Sequence, residues 1–173
     1  MWWRSPALFA VLFAGLTAVA LAGCGFQPLY GGTTAGGQRL AEVMSGVEIN
    51  PIPGRVGQKL RNELIFANTG GGNADKTRYK LDIAIKESVT DQLVQITGDA
   101  TGQVYQLEAT FKLMDVASGK VLMQGKAISR APYNRFQEIF ANIRARYDAE
   151  NRAARSVADS LRTQVAAFLA NAA

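Results

Sequence analysis

The chain has 173 residues, of which 48% are hydrophobic, and its 19 Lys and Arg outnumber 14 Asp and Glu to give a formal charge of +5. It contains no histidine, which removes the commonest general base, the usual zinc ligand and any Ser-His-Asp triad. The basic excess is spread along the sequence and no basic-aromatic motif of a nucleic-acid-binding module occurs, so nothing points to nucleic acid as a partner.

The first segment carries a single basic residue, Arg4, and then an unbroken apolar stretch from Pro6 to Ala22, closed by Leu21-Ala22-Gly23-Cys24. A positive start, an apolar run and small residues before the cut are the parts of a secretory signal. With the only cysteine of the chain at the cut, the segment resembles a bacterial lipoprotein signal. That resemblance implies removal of residues 1–23, an S-diacylglycerol and an N-acyl group on Cys24, and no other cofactor. With Cys24 lipidated no disulfide is available, and stability must come from packing. Residues 24–45, rich in Gly and Thr up to Gly37, read as the lipidated tether. Its apolar Phe26, Leu29 and Tyr30 are equally suited to docking on a surface and to resting near lipid headgroups.

Residues 46–173 read as a single α+β domain facing the periplasm. Val47 to Asn50 is extended in character and is ended by Pro51 and Pro53, giving a first strand. Val56, Leu60, Glu63, Leu64 and Ala67 recur at helical spacing, with Arg55, Lys59, Arg61 and Asn62 directed outward, until Gly70-Gly71-Gly72-Asn73 stops the helix. The period then changes to two. Tyr79, Leu81, Ile83 and Ile85 alternate with Lys80, Asp82 and Lys86, and Tyr105, Leu107, Ala109, Phe111 and Leu113 alternate with polar residues. Between Ser88 and Val104 the alternation becomes polar and glycine-containing, which fits either a long protruding hairpin or a loop; Val94 and Ile96 favour the hairpin. Asp115 to Lys120 reads as a tight turn into a strand from Lys120 to Arg130, of uncertain register because Leu122 and Met123 cannot both face one layer. From about Asp148 to Leu169, an apolar stripe of Ala154, Val157, Ala158, Leu161, Val165 and Phe168 marks a closing helix. The order β-α-β-β-β-α predicts a two-layer sandwich, two helices on one face of a four-stranded, mostly antiparallel sheet.

The acidic residues alternate with lysines on faces that read as solvated, and none falls in a carboxylate motif. No catalytic residue and no metal ligand is assigned, and the chain reads as a binding protein, not an enzyme. Four stretches together are similar to the lipopolysaccharide (LPS) assembly lipoprotein family, LptE. They are Cys24-Gly25-Phe26-Gln27-Pro28-Leu29-Tyr30, the helix Arg55-Val56-Gly57-Gln58-Lys59-Leu60-Arg61-Asn62-Glu63-Leu64, the strand Val104-Tyr105-Gln106-Leu107, and the closing helix. The resemblance implies an outer-membrane, lipid-anchored protein that fills the LPS translocon barrel LptD, helps it fold and contacts LPS. Gly25 after the acylated cysteine fits outer-membrane sorting, since Asp there is the usual retention signal in enterobacteria. Cations suited to LPS phosphates are Lys80, Lys86, Lys112 and Lys126 on strand faces and Arg130, Arg135, Arg144 and Arg146 beyond them. Taken singly, each is also compatible with an ordinary solvated cation. Where some family members place a basic residue before the Val104 strand, this chain has Gly98 and Asp99, so no LPS contact carries over to that loop. Two other functions fit the same reading of the chain: an auxiliary lipoprotein of a phospholipid-transport system and, remotely, an exported hydrolase.

Overall fold

The computed structural model describes residues 32–71, 76–94 and 100–172; Cys24, the rest of the signal and the start of the tether lie outside these described residues. The elements are α1 (Leu40–Ser45), β1 (Val47–Ile49), α2 (Arg55–Thr69), β2 (Tyr79–Val94), β3 (Ala100–Asp115), β4 (Val121–Asn134) and α3 (Ile139–Ala172). The strands form one four-stranded sheet in the order β1-β2-β3-β4. β1 runs parallel to β2, and the two other pairings are antiparallel. The α+β sandwich anticipated from the periodicities is therefore present, with one helix more than expected.

That helix, α1, lies in the stretch read as tether. Its Leu40, Val43 and Met44 are buried in the core, and the residues before it are tied down as well: the Leu40 amide donates to Gly32 O at 3.2 Å and the Ala35 amide donates to Ala170 O at 2.9 Å. The second bond satisfies one of the carbonyls that the end of α3 would otherwise leave open. The tether thus enters the domain at the C-terminal end of α3.

The alternation read along β3 is the packing itself. Tyr105, Leu107, Ala109, Phe111 and Leu113 are buried beneath the helices, and Tyr79, Leu81 and Ile83 of β2 share their layer. α3 supplies Val157, Leu161, Val165 and Leu169 together with several alanines. The small residues Gly125, Ala127 and Ala131 of β4 leave room for it to lie against the sheet. α2 ends as anticipated, on Gly70 in the left-handed region (φ 70°), whose amide donates to Phe66 O; a residue without a Cβ adopts that conformation without strain. The stretch from Ser88 to Val104 is a long hairpin, its strands paired as far as Val94 and Ala100, with the connecting residues 95–99, among them Gly98 and Asp99, outside the described part. Met123 faces the core side, half-buried, while Leu122 is skipped by a register shift between Leu113 and Met114 and stays exposed. α3 begins nine residues before the expected Asp148.

At the β3–β4 turn the Asp115 carboxylate accepts from Ser118 N (3.0 Å) and Ser118 Oγ (2.6 Å). These bonds, the side-chain one foremost, hold the Asp115 carboxyl below its ordinary value. A group whose folded value is depressed stabilises the fold above its unfolded value and ceases to do so as pH falls through the folded one. An NMR titration of Asp115 in the folded domain is therefore expected to reach its midpoint at lower pH than in a peptide spanning the turn, and Ser118→Ala, which removes the hydroxyl bond and keeps the backbone one, should narrow the difference.

Candidate functional site

The helices cover one face of the sheet and leave the other bare. Side chains alternate across a strand, so the residues between the core positions all point to this open face: Lys80, Asp82, Ala84 and Lys86 from β2, Glu108, Thr110 and Lys112 from β3, and Gln124, Lys126, Ile128 and Arg130 from β4. Five of the eight cations chosen from the sequence are thereby gathered on one surface, and the remaining three are elsewhere.

Most of the five have partners. Lys80 Nζ lies 4.0 Å from Glu48, Lys126 Nζ lies 2.7 Å from Glu108, and Arg130 Nε donates to Gln106 Oε1 at 2.8 Å. Lys86 and Lys112 sit directly across from Glu108 and Asp82 in the β2–β3 register, with no ion pair to a described residue. Exposed pairs of this kind contribute little to stability. Their consequence is a wettable surface of mixed charge, in which cations outnumber anions. Its middle forms a depression of about 610 Å³ lined by Asn50, Asp82, Ala84, Thr110, Lys112 and Gln124.

Arg135, Arg144 and Arg146 lie at the opposite side, around the first turns of α3. Arg146 Nε donates to Glu150 Oε1 at 2.8 Å, and Arg55 reaches the other oxygen of the same carboxylate. Glu150 is buried, so its two arginines are what make an ionised carboxylate tolerable there. The hydrogen bond to Glu150 raises the affinity of Arg146 for its proton. Nearby, the fully buried Tyr105 donates its hydroxyl to Glu87 at 2.6 Å. Burial first, and then the Glu87 carboxylate, push that phenol above its ordinary range. Arg135 and Arg144 make no ion pair with a described residue.

Two features of this end escape a reading of charge and period. One is the Arg55–Glu150–Arg146 cluster, whose only sequence signal is the Arg146 to Glu150 spacing of four. The other is an apolar group left in solvent: Phe136, Ile139, Phe140, Ile143 and Tyr147 are all exposed, Ile139 and Phe140 by three quarters or more of their surface. Ile139, Ile143 and Tyr147, four apart, extend the buried stripe of α3 toward its N-terminus, and this spacing is the signal that could have found them. Among the described residues no cluster of His, Cys, Asp and Glu could hold a metal ion, and no helix is long and apolar enough to cross a membrane.

No family model and no curated protein matches the chain. Solved structures do. A Caulobacter crescentus protein described as a lipoprotein is 25% identical, with a TM-score of 0.60 over 76% of this chain and 96% of its own. Rare lipoprotein B of Shewanella oneidensis aligns at 12% identity and a TM-score of 0.54 over 70% of this chain and 93% of its own. A minor lipoprotein of Acinetobacter baumannii aligns at 14% identity and a TM-score of 0.50, covering 72% and 94%. The chain therefore has the fold of these bacterial lipoproteins, and each is covered over nearly its whole length.

Proposed function

We propose that the chain is an exported lipoprotein, anchored in the outer membrane through lipid on Cys24, that fills the lumen of the LPS translocon barrel LptD, supports its assembly and assists delivery of LPS to the outer leaflet. The observation that carries the reading is the bare, charged face of the sheet. An antiparallel sheet commonly turns one face to water; here that face gathers Lys80, Lys86, Lys112, Lys126 and Arg130. A plug in a polar barrel lumen needs such a wettable face. The lipoprotein-like signal supplies the anchor, and the likeness to other lipoproteins, rare lipoprotein B among them, supports the class. The tether joins the domain at one end of the long helix, so the opposite end, with the hairpin and the first turns of α3, is directed away from the anchor.

Of the eight cations, Lys86, Lys112, Arg135 and Arg144 carry the LPS part of the proposal, because they are not held in ion pairs with described residues and can meet phosphate by charge-assisted hydrogen bonds. Lys80, Lys126, Arg130 and Arg146 are engaged within the protein. The role is binding and assembly; with no histidine in the chain, no catalytic step is assigned. Depletion in cells is expected to leave LPS defective at the surface and to remove the mature barrel protein, as followed by surface LPS labelling and immunoblotting. Normal levels of both would contradict the proposal.

A further inference from the structure

The two edges of the sheet are treated differently by the rest of the chain. On β4, Pro132 offers no N–H, and α3 engages the strand's carbonyls: Arg152 Nη2 donates to Pro132 O at 2.7 Å and Gln164 Nε2 to Lys126 O at 3.3 Å. On β2, β1 covers only Tyr79 to Leu81; the Asn50 amide donates to Leu81 O at 3.1 Å, and the chain then turns away at Pro51. From Ile83 onward no described residue pairs with that side of β2. Backbone groups alternate between the two sides of a strand. Since Leu81 O points to β1, the N–H and C=O groups of Ile83, Ile85, Glu87, Val89 and Asp91 point to the open edge, while those of Ala84, Lys86 and Ser88 are taken by β3. A long unpaired edge of this kind is a template for another strand.

The helical layer stops at the same place. α2 begins at Arg55, whose guanidinium lies 4.5 Å from the centre of the Tyr147 ring. Upstream of that contact α3 continues to Ile139 with its apolar stripe uncovered. Between the stripe and β2 lies a groove of about 460 Å³ of mixed lining, in which Val56, Ile143 and Tyr147 stand beside Glu87 and the Arg55–Glu150–Arg146 cluster. One quadrant of the sandwich therefore lacks a strand at the sheet edge and leaves the apolar stripe of α3 beside it uncovered.

We infer that this quadrant is completed by an extended segment of the barrel partner, which adds to β2 along Ile83–Asp91 as a further strand in line with β1. Its alternate side chains facing the helices are apolar and seat against Ile143 and Tyr147, and those on the other face are polar and continue the open surface. A polypeptide is required because fixed alternation of donors and acceptors is matched by a peptide backbone; an acyl chain would cover the stripe and leave the edge unpaired. The protein's own tether does not reach. It enters beside Ala170, about 35 Å along α3 from Tyr147 at 1.5 Å per residue, and the eight residues from Cys24 to Gly31 span at most about 28 Å when extended. This inference rests on the barrel reading of the function.

The test is residue-resolved amide hydrogen exchange on the full lipidated protein, alone and in the detergent-extracted complex with the barrel. Alone, the amides of Ile85, Glu87 and Val89 should exchange freely while those of Lys86 and Ser88 are protected. In the complex the first set should slow by roughly a hundredfold or more, the protection expected of ladder hydrogen bonds in a stable sheet. Free exchange of Ile85, Glu87 and Val89 in a complex that does form overturns the inference and leaves the barrel reading standing; failure to form any complex with the barrel removes both. Protection already present in the protein alone, growing with its concentration, assigns the edge to a second copy and also overturns it. Val89→Pro deletes one edge donor without touching the β3 ladder and should reduce barrel recovery about tenfold, equivalent to roughly 1.4 kcal/mol. Val89→Lys, which sets a long charged side chain on the open edge strand where the added strand would lie, should do the same if the proline variant does not fold, and unchanged recovery with the folded variant contradicts the inference.

Discussion

Leu107→Ala is expected to lower the stability of the folded domain by about 2–5 kcal/mol, the range for truncating a fully buried leucine. Leu107 sits in the middle of β3, the strand with neighbours on both sides, and is 0% exposed beneath the helices. With a single cysteine in the chain and so no internal disulfide to hold the fold, the removed methyl groups leave a void that the paired β2 and β4 cannot close by shifting, because both are fixed in register. Against a total of about 5–15 kcal/mol for a native domain, the loss is a large fraction, and the midpoint in a denaturant titration should fall with an unchanged slope. Leu122→Ala is the control. Leu122 lies on the exposed side at the register shift, and its truncation should change stability by less than about 0.5 kcal/mol.

Gly125→Ala should cost about 1–3 kcal/mol, the usual penalty for forcing extra volume into a packed core, although the added group is one methyl and β strands ordinarily disfavour glycine. A Cβ built on Gly125 would stand 2.7 Å from two ring atoms of Phe111 and 3.1 Å from Gln164 Oε1. Phe111 is directly opposite Gly125 in the β3–β4 register, and its ring lies across the glycine beneath α3. Since the ring is buried, it has nowhere to swing, and either β4 or α3 must move. The diagnostic is coupling: Phe111→Leu costs stability by itself, but Gly125→Ala should be far less harmful in that background. Equal cost in both backgrounds would show that the contact is not the cause.

The sheet was legible in the sequence because a strand buried on one face writes its period directly. Tyr105 to Leu113 alternate without a break, and each apolar member is in the core. The stop of α2 at Gly70 and the turn at Asp115 were legible for the same reason, since each needs a residue type with a specific conformational or hydrogen-bonding property. α1 was not, because six residues offer less than two turns of period and follow a glycine-rich stretch that reads as linker. The early start of α3 was missed because Ile139, Phe140 and Ile143 are apolar yet exposed, so the stripe they extend is not a core stripe at that end.

The candidate site divides in the same way. Alternation placed Lys80, Lys86, Lys112 and Lys126 on one face, as read. Whether a cation is free depends on cross-strand register and on distant partners, as with Arg146 and Arg55 converging on Glu150 from different helices, and one chain read linearly does not contain that information. The groove beside β2 exists only because β1 and α2 both stop short, a property of how elements are assembled and of no single segment.

The protein is proposed to work as the lumenal partner of a large β-barrel. The most direct test is a pull-down of the tagged, lipidated protein from detergent-extracted membranes, with the partner identified by mass spectrometry and its stoichiometry measured. Recovery of a roughly equimolar outer-membrane barrel of the LPS translocon is expected of this role. Recovery of inner-membrane transporter or substrate-binding components without any barrel would contradict it and place the protein in phospholipid trafficking instead.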